Sequence, residues 1–246
     1  VPEISIPWEI QRRTVMVPHV STNRTLEYNG TYQTIISQPG NTMFEYVEDE
    51  TSIRGEFPNS DKAAFTITEG RGRDADSYQA VATLTDRNYQ WVGAAAPDPD
   101  TLEIDLGSWT IGRAYITAPQ LELEGKIYDG LPYDPPAVSD EALDQVAMKA
   151  DDEIKFLQYT YNGRPGQPVD AGTYLVQAVY NYPQQNYVLL GNNSVSVTIS
   201  PAPLQLSAPQ NGLTVEYTGS EHTVPAPEIK NYPPAGQQPA PLTYTY

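Results

Sequence analysis

The chain has 246 residues, with 14 basic and 31 acidic side chains and a formal net charge of −17. Because cysteine is absent, a disulfide scaffold, a thiolate metal site and a cysteine nucleophile are excluded. The negative charge argues against binding to a phosphate backbone, and no apolar run reaches the ~18 residues of a membrane-spanning helix, so the sequence predicts no nucleic-acid partner and no transmembrane segment in this chain.

The chain opens with an alternating apolar and polar run over 4–10, a pattern typical of a half-buried strand. Trp8-Glu9-Ile10 in this run recurs as Trp109-Thr110-Ile111 and again as Val197-Thr198-Ile199. Because the later copies close longer segments, residues 1–12 are interpreted as the last strand of a preceding repeat.

A tyrosine turn follows each of these strands. It reads Tyr28-Asn29-Gly30, Tyr128-Asp129-Gly130 and Tyr217-Thr218-Gly219. Asn-Gly and Asp-Gly favour tight turns, because the turn needs a positive φ that glycine reaches freely and Asn or Asp tolerates.

Two further landmarks occur in the same order in the first two copies. Asp74-Ala75-Asp76-Ser77-Tyr78 matches Asp170-Ala171-Gly172-Thr173-Tyr174, and Asn88-Tyr89 matches Asn186-Tyr187. The alternating runs 78–84 and 174–180 are the clearest predicted strands.

The constant order of landmarks predicts a tandem array. Repeat 1 is assigned to 13–112, repeat 2 to 113–201, and a truncated repeat 3 to 202–246. The many short strands and turns in ~90–100 residues favour an all-β fold of tandem immunoglobulin-like β-sandwiches. Half a repeat lacks the strands to cover its core, so 202–246 is expected to be poorly ordered unless a neighbour covers it.

One stretch departs from the strand pattern. Residues 139–150 place Leu143, Val146, Ala147 and Ala150 at helical spacing behind a capping-type Ser139 or Asp140. We expect a short helix there, with its apolar stripe in the core; a partner-binding helix is the alternative.

The spacing of Asp170, Gly172 and Tyr174 is that of an immunoglobulin tyrosine corner, in which the Tyr hydroxyl bonds to the backbone upstream. Tyr78 takes the corresponding place in repeat 1, where Asp76 replaces the glycine. With the tyrosine turn, the Asn-Tyr pair and the closing Trp-x-Ile strand, the pattern resembles bacterial immunoglobulin-like repeats of surface proteins and adhesins, and is similar to MBG- and YDG-type repeats.

The resemblance implies a secreted or wall-attached bacterial protein, outside the cell, in which such repeats form a non-catalytic stalk. It implies no ligand, because fold and function are separable. Two alternatives stay open: an adhesin module that binds a host glycan or protein, and a self-assembling surface-layer or fibre subunit that pairs with neighbouring copies by strand addition.

Acidic clusters are interpreted chiefly as solvated surface charge; one of them is Asp151-Asp152-Glu153. The alternative is a calcium site, for which Asp98 and Asp100 are the candidates because they lie in extra sequence of repeat 1. No other cofactor is expected, and no motif supports an enzyme.

Candidate ligand-binding residues are Tyr180, Tyr182 and Tyr187, which cluster around one loop. Aromatic faces could stack on sugar rings there, and exposed loop tyrosines commonly carry recognition. Packing is the alternative interpretation, since tyrosine is also a favoured strand residue.

Overall fold

The computed structural model describes residues 6–48, 50–207, 214–222 and 228–230. The strands of the first half are, in chain order, β1 (Arg13–Met16), β2 (His19–Val20), β3 (Thr25–Glu27), β4 (Ile36–Ser37), β5 (Met43–Tyr46), β6 (Ile53–Glu56), β7 (Ala63–Thr68), β8 (Ser77–Leu84), β9 (Tyr89–Val92) and β10 (Glu103–Gly112). The remaining elements are β11 (Ala114–Thr117), β12 (Lys126–Ile127), α1 (Asp140–Asp144), β13 (Lys155–Tyr161), β14 (Gly172–Asn181), β15 (Tyr187–Leu190), β16 (Ser194–Ser200), β17 (Gln205–Ser207) and β18 (Glu228–Lys230).

The chain divides into two compact units that do not follow the repeat boundaries. Unit 1 contains residues up to Thr117 together with Ala147–Ile154 and Tyr182–Leu190. Unit 2 contains Ala118–Val146, Lys155–Asn181 and the described residues from Gly191 on. Three segments that the sequence assigns to repeat 2 therefore lie in unit 1 with repeat 1.

Unit 1 is built on a mixed sheet with the strand order β3-β10-β8-β7-β6-β5. Its strands alternate as predicted: along β8 the side chains of Ala80, Ala82 and Leu84 are buried while those between them are more exposed. Trp109 of β10 is also buried and donates its indole N–H to the Glu69 carbonyl at 2.9 Å. Alternate residues thus supply one buried face.

Unit 2 is built on the sheet β12-β16-β14-β13. Its core joins Tyr133, Tyr161, Val176, Val197 and Ile199. Val197 stands where repeat 1 has Trp109, so a large ring is missing from the strand. Two tyrosines from outside that strand fill the core instead, their rings meeting edge-on at 6.3 Å.

The two repeats form the same hydrogen-bond ladders. Strand β1 pairs in parallel with β9, and β11 pairs in parallel with β15. An equivalent hydrogen bond stands at the start of each ladder. The Arg13 N–H donates to the Asn88 carbonyl at 2.8 Å, and the Ala114 N–H donates to the Asn186 carbonyl at 2.9 Å. The Asn-Tyr landmarks therefore occupy equivalent positions in the two repeats.

The tyrosine turns are equivalent as well. The Tyr28 N–H donates to the Gly112 carbonyl and the Tyr128 N–H to the Ser200 carbonyl, both at 2.8 Å. The glycine that closes each turn has a positive φ, with values of 81° at Gly30, 76° at Gly130 and 74° at Gly219. A glycine reaches this region at little cost, which explains its place in each copy.

The predicted all-β class with one short helix is confirmed. The helix is shorter than the predicted 139–150, because α1 spans five residues, Asp140–Asp144, behind the Ser139 cap. Leu143 and Val146 are buried as expected, but Ala147 and Ala150 are exposed, and Ala150 has a φ of 50°. The immunoglobulin-like sandwich stays a prediction.

The predicted repeat boundaries, and the interpretation of 1–12 as a strand of another repeat, also stay predictions. Residues 1–5 lie outside the described part of the chain, and the described residues 6–12 form no strand. Of the predicted repeat 3, the structure describes 202–207, 214–222 and 228–230. The remaining positions of that repeat lie outside the described residues.

Candidate functional site

Two tyrosine hydroxyls meet on one carboxylate oxygen in unit 1. Tyr28, from the turn of repeat 1, donates to Asp152 Oδ2 at 2.6 Å, and Tyr187, from the Asn-Tyr pair of repeat 2, donates to the same oxygen at 2.9 Å. The two rings meet edge-on with centroids 5.3 Å apart. Both side chains are almost fully buried, at 2% exposure for Tyr28 and 1% for Tyr187.

This environment favours the neutral form of both phenols. Burial raises the pKa of Tyr187 to about 12, and the hydrogen bond to Asp152 adds to the effect. Burial likewise raises the pKa of Tyr28 well above its usual range, again with the Asp152 hydrogen bond as a further cause. A second ionised group beside the carboxylate would be disfavoured by charge repulsion.

The turn glycine allows the chain segment that carries Asp152 to approach closely. A Cβ added to Gly30 would lie 2.6 Å from the Ala150 Cβ, closer than two carbon atoms can pack. The neighbouring Lys149 N–H donates to the Tyr187 hydroxyl at 2.7 Å. The segment 149–152 is therefore held on one side by the tyrosine turn and on the other by the Asn-Tyr pair.

A second contact joins the Asn-Tyr pair to the corner loop of repeat 1. The Asn186 side chain donates through Nδ2 to Asp74 Oδ1 at 2.9 Å and accepts through Oδ1 from the Ala75 N–H at 2.8 Å. Asn186 is 6% exposed. Both ends of its amide are thus satisfied by two successive residues, which a carboxylate or an aliphatic side chain could not do.

We call the set Tyr28, Gly30, Asp152, Asn186 and Tyr187 the junction cluster. Its members come from the tyrosine turn of repeat 1 and from the Asn-Tyr pair and an acidic segment of repeat 2. The landmarks that recur along the sequence therefore meet each other across successive repeats inside unit 1. The arrangement has the chemistry of a packed, hydrogen-bonded junction.

The residues predicted to have a structural role form two matching corners. The Tyr78 hydroxyl donates to the Asp74 carbonyl at 2.8 Å, and the Tyr174 hydroxyl to the Asp170 carbonyl at 2.9 Å. Gly172 is not among the described residues with a positive φ, and neither is Asp76. Aspartate can therefore replace glycine without changing the corner.

The calcium candidates lie on the surface of unit 1. Asp100 is paired with Arg12 at 2.7 Å and its side chain is 88% exposed. Asp98 closes a turn through its carbonyl, which accepts from the Thr101 N–H at 2.9 Å. Over the described ranges, no group of three or more His, Asp or Glu side chains could hold a metal ion.

The candidate ligand-binding tyrosines differ in exposure. Tyr180 is 5% exposed and Tyr187 1% exposed, so neither ring offers a face to a sugar. Tyr182 is partly exposed. Of the three predicted tyrosines, therefore, Tyr182 alone has a ring that could stack on a sugar. Tyr187 instead belongs to the junction cluster.

The sequence alone does not single out Asp152 or Ala75. Asp152 lies between Asp151 and Glu153, and an acidic run of this kind predicts solvated surface charge. The Ala75 backbone N–H leaves no side-chain signal. The signal in the sequence that could have indicated these contacts is the recurrence of the Asn-Tyr pair and the Tyr-x-Gly turn. Forming a strand requires only alternation, so the repetition of these particular residues indicates a further role.

Residues 149–203 match the model of the MBG domain, which suggests a repeat module of a surface protein. The match covers most of repeat 2 and agrees with the resemblance drawn from the sequence. No curated protein and no solved structure gives a match to the chain. Within the described residues, no helix has the length and apolar character needed to cross a membrane.

Proposed function

Starting from the MBG-type module at 149–203, we propose that the chain is a non-catalytic structural segment of a secreted or wall-attached bacterial surface protein of adhesin type. In this role the repeats form a stalk, and the junction cluster couples each repeat to the next. One observation supports the proposal: the recurring residues of the junction cluster bind each other across successive repeats. They do not line an open cleft in which a substrate could bind.

The two hydrogen bonds made by the Asn186 side chain, which we call the amide clamp, are suited to resist a force applied along the chain. Its two hydrogen bonds tie the loop before β15 to the corner loop before β8, and its burial shields both bonds from competing water. The cluster of two tyrosines and Asp152 ties a third segment to the same place. A force along the chain must break these contacts before the repeat 2 segments leave unit 1.

Mechanical unfolding of the full chain, held at both ends, tests this role. We expect Asn186→Ala to lower the force at which unit 1 first opens, because the amide clamp is lost. Asn88→Ala is the matched control, since Asn88 holds the equivalent place beside the β1–β9 ladder but its side chain is exposed. Equal opening forces for the two variants would contradict the proposal.

The proposed location is tested separately. In the bacterium that encodes the chain, antibodies raised against it should label intact cells or recover it from the medium or the wall fraction. Labelling that requires lysis of the cells would exclude the surface location.

A second candidate function is glycan binding, for which unit 2 offers an open groove. Aromatic rings of Phe156 and Tyr159 line it with the amides of Gln158 and Gln167. Gln167 Nε2 donates to Asp134 Oδ1 at 2.6 Å, which orients the amide. Apolar ring faces beside planar polar groups suit a sugar, so a glycan-array signal that disappears in Phe156→Ala would support this function, and no signal would refute it.

A further inference from the structure

Strands β7 and β13 hold equivalent places in the two repeats. Ile67 of β7 lies opposite Ala82 of β8, and Tyr159 of β13 lies opposite Ala178 of β14. Ala82 follows the corner tyrosine of repeat 1 at the same spacing at which Ala178 follows that of repeat 2. The position of Tyr159 in repeat 2 therefore corresponds to that of Ile67 in repeat 1.

The outer edges of these two strands differ. In repeat 1, β6 covers the outer edge of β7, with Ile53 opposite Ile67, and β5 pairs with β6 in turn. Both covering strands are formed by the stretch between the tyrosine turn and β7. The corresponding stretch of repeat 2, 131–154, is described throughout and forms α1 but no strand. In the described sheet β13 is therefore an edge strand, and the cause is a difference within the repeat itself.

The backbone of Tyr159 faces this open edge. Its cross-strand neighbour Ala178 donates its N–H to the Asn193 carbonyl, and the Ala178 carbonyl accepts from Asn193 Nδ2, both at 2.9 Å. Because Ala178 is bonded on the side away from β13, it forms with Tyr159 the type of antiparallel pair that exchanges no hydrogen bonds. The N–H and C=O of Tyr159 therefore point to the edge that β6 covers in repeat 1.

The open groove of unit 2 lies along this edge. The rings of Phe156 and Tyr159, both from β13, contribute to its lining. The Tyr159 hydroxyl donates to the Pro136 carbonyl at 2.9 Å, which holds a proline segment beside the strand. Asp134 is the one charged side chain among the lining residues, and it is exposed. The groove thus combines backbone hydrogen-bonding groups, apolar rings and a negative charge.

We propose that the β13 edge binds an extended, basic peptide segment of another protein, which joins the sheet as an antiparallel strand in the way that β6 joins β7. The main-chain groups of Tyr159 hydrogen-bond to the peptide, and apolar side chains of the peptide contact the rings of Phe156 and Tyr159. A basic side chain of the peptide faces Asp134. A sugar stacked on the same rings leaves the backbone groups of Tyr159 without a strand partner, so the geometry favours a peptide over a glycan.

Charge decides between a foreign peptide and a second copy of this chain. Each copy carries a formal net charge of −17, so two copies repel each other. Pairing of two β13 edges would also bring two Asp134 side chains to one interface. A basic segment is attracted instead, and its binding weakens as salt is raised. The inference adds a binding role to the proposed stalk and does not rest on the junction cluster.

A synthetic peptide with the sequence of 51–57 is the probe, because it contains β6, the strand that covers the equivalent edge. Its ends are blocked, and Glu56→Lys makes it basic. In an NMR titration of the full chain with this peptide, the Tyr159 amide should shift and its hydrogen exchange should slow. The amides of Gln158 and Thr160 face β14, so their exchange should change little. No shift at Tyr159 with millimolar peptide would overturn the inference.

Methylated peptides test the strand geometry without altering the protein. Ile53 stands opposite the residue that corresponds to Tyr159, so an N-methyl group on Ile53 removes the N–H that bonds to the Tyr159 carbonyl. Arg54 is the matched control, because the N–H of the next residue points away from the partner strand. Methylation at Ile53 should weaken binding by about tenfold, and methylation at Arg54 should not. Equal effects of the two methyl groups would show binding without strand addition and would overturn the inference.

Variants of the chain test the charge. Asp134→Asn keeps an oxygen that accepts from Gln167, and it should weaken binding of the basic peptide at low salt. Asp98→Asn removes the same charge from an exposed residue that does not line the groove, and it should leave binding unchanged. Equal affinities of the two variants would contradict the contact with Asp134.

The other occupants give distinct results. A glycan that shifts the groove amides when the peptide does not would assign the groove to a sugar. Concentration-dependent self-association in sedimentation velocity, reversed by the peptide, would assign the β13 edge to a second copy. Either result would overturn the inference, and neither bears on the junction role, which is tested at Asn186.

Discussion

Replacing Asp152 by asparagine isolates the contribution of the shared carboxylate in the junction cluster. The side chain keeps its shape and an oxygen acceptor, but the charge is lost from the hydrogen bonds at 2.6 and 2.9 Å. Hydrogen bonds to ionised groups contribute roughly 1.5–3 kcal/mol each and neutral ones roughly 0.5–1.5 kcal/mol. We therefore expect a loss of about 1 kcal/mol for each bond, about 2 kcal/mol in total.

Tryptophan fluorescence measures this loss in unit 1 alone. The chain has 3 tryptophans, Trp8, Trp91 and Trp109, and all lie in unit 1; the last two are buried. In a denaturant titration, the fluorescence transition of Asp152→Asn should move to lower concentration while its slope is unchanged.

Asp151→Asn is the control for this titration. It makes the same change of charge one residue away, on a side chain that is exposed. The repulsion among the acidic groups is therefore relieved equally in both variants, and the difference between them reports the junction. Equal midpoints for the two variants would refute the assignment of Asp152 to the cluster.

Two further predictions concern the same cluster. Gly30→Ala should destabilise unit 1 by about 2–4 kcal/mol and lower the midpoint of the fluorescence titration, since it adds a collision with Ala150 to the strain of a positive φ. Gly93→Ala is the control in the same unit, because Gly93 also has a positive φ, 127°, but a Cβ there would meet nothing within 4 Å, so its loss should be smaller. Equal losses would contradict the close approach. Alkaline pH should also destabilise unit 1, because the pKa of Tyr187 is near 10 in the unfolded chain and about 12 in the folded one. The stabilisation contributed by the neutral Tyr187 side chain is complete below pH ~10 and is lost as the pH rises toward ~12. Tyr187→Phe should reduce this alkaline loss in the fluorescence titration, and an unchanged pH profile would contradict it.

The strands were predictable because their signals are local. Alternation along 78–84 and 174–180 predicted β8 and β14, and a buried face follows directly from the two-residue period. The corner tyrosines could be placed for the same reason, since the hydroxyls of Tyr78 and Tyr174 reach only four residues back. A pattern of this kind needs no knowledge of distant parts of the chain.

The length of the helix was not predictable from local pattern. Apolar spacing extends to Ala150, but the Lys149 N–H is taken by the Tyr187 hydroxyl, and Ala150 adopts a left-handed conformation. The first of these features is a contact with a residue 38 positions away in sequence. The tertiary contact therefore overrides the helical periodicity.

The junction cluster was hidden for a related reason. Asp152 is more buried than Asp151, and Tyr187 is more buried than Tyr182. Because each pair consists of residues of the same type, the sequence cannot show which member is buried. Which member is buried depends on the partner segments from repeat 1. The sequence marked the recurring pairs correctly as landmarks, and their mutual contact is what the structure adds.

The backbone amide of Ala75 gives the most direct measurement of the central claim that recurring landmarks bind successive repeats together. It lies in a corner loop at the surface of repeat 1 and donates to the Asn186 side chain at 2.8 Å. Hydrogen exchange followed by NMR should show this amide protected in the wild type and released in Asn186→Ala, with the β8 amides still protected. Rapid exchange of the Ala75 amide in the wild type would contradict the account.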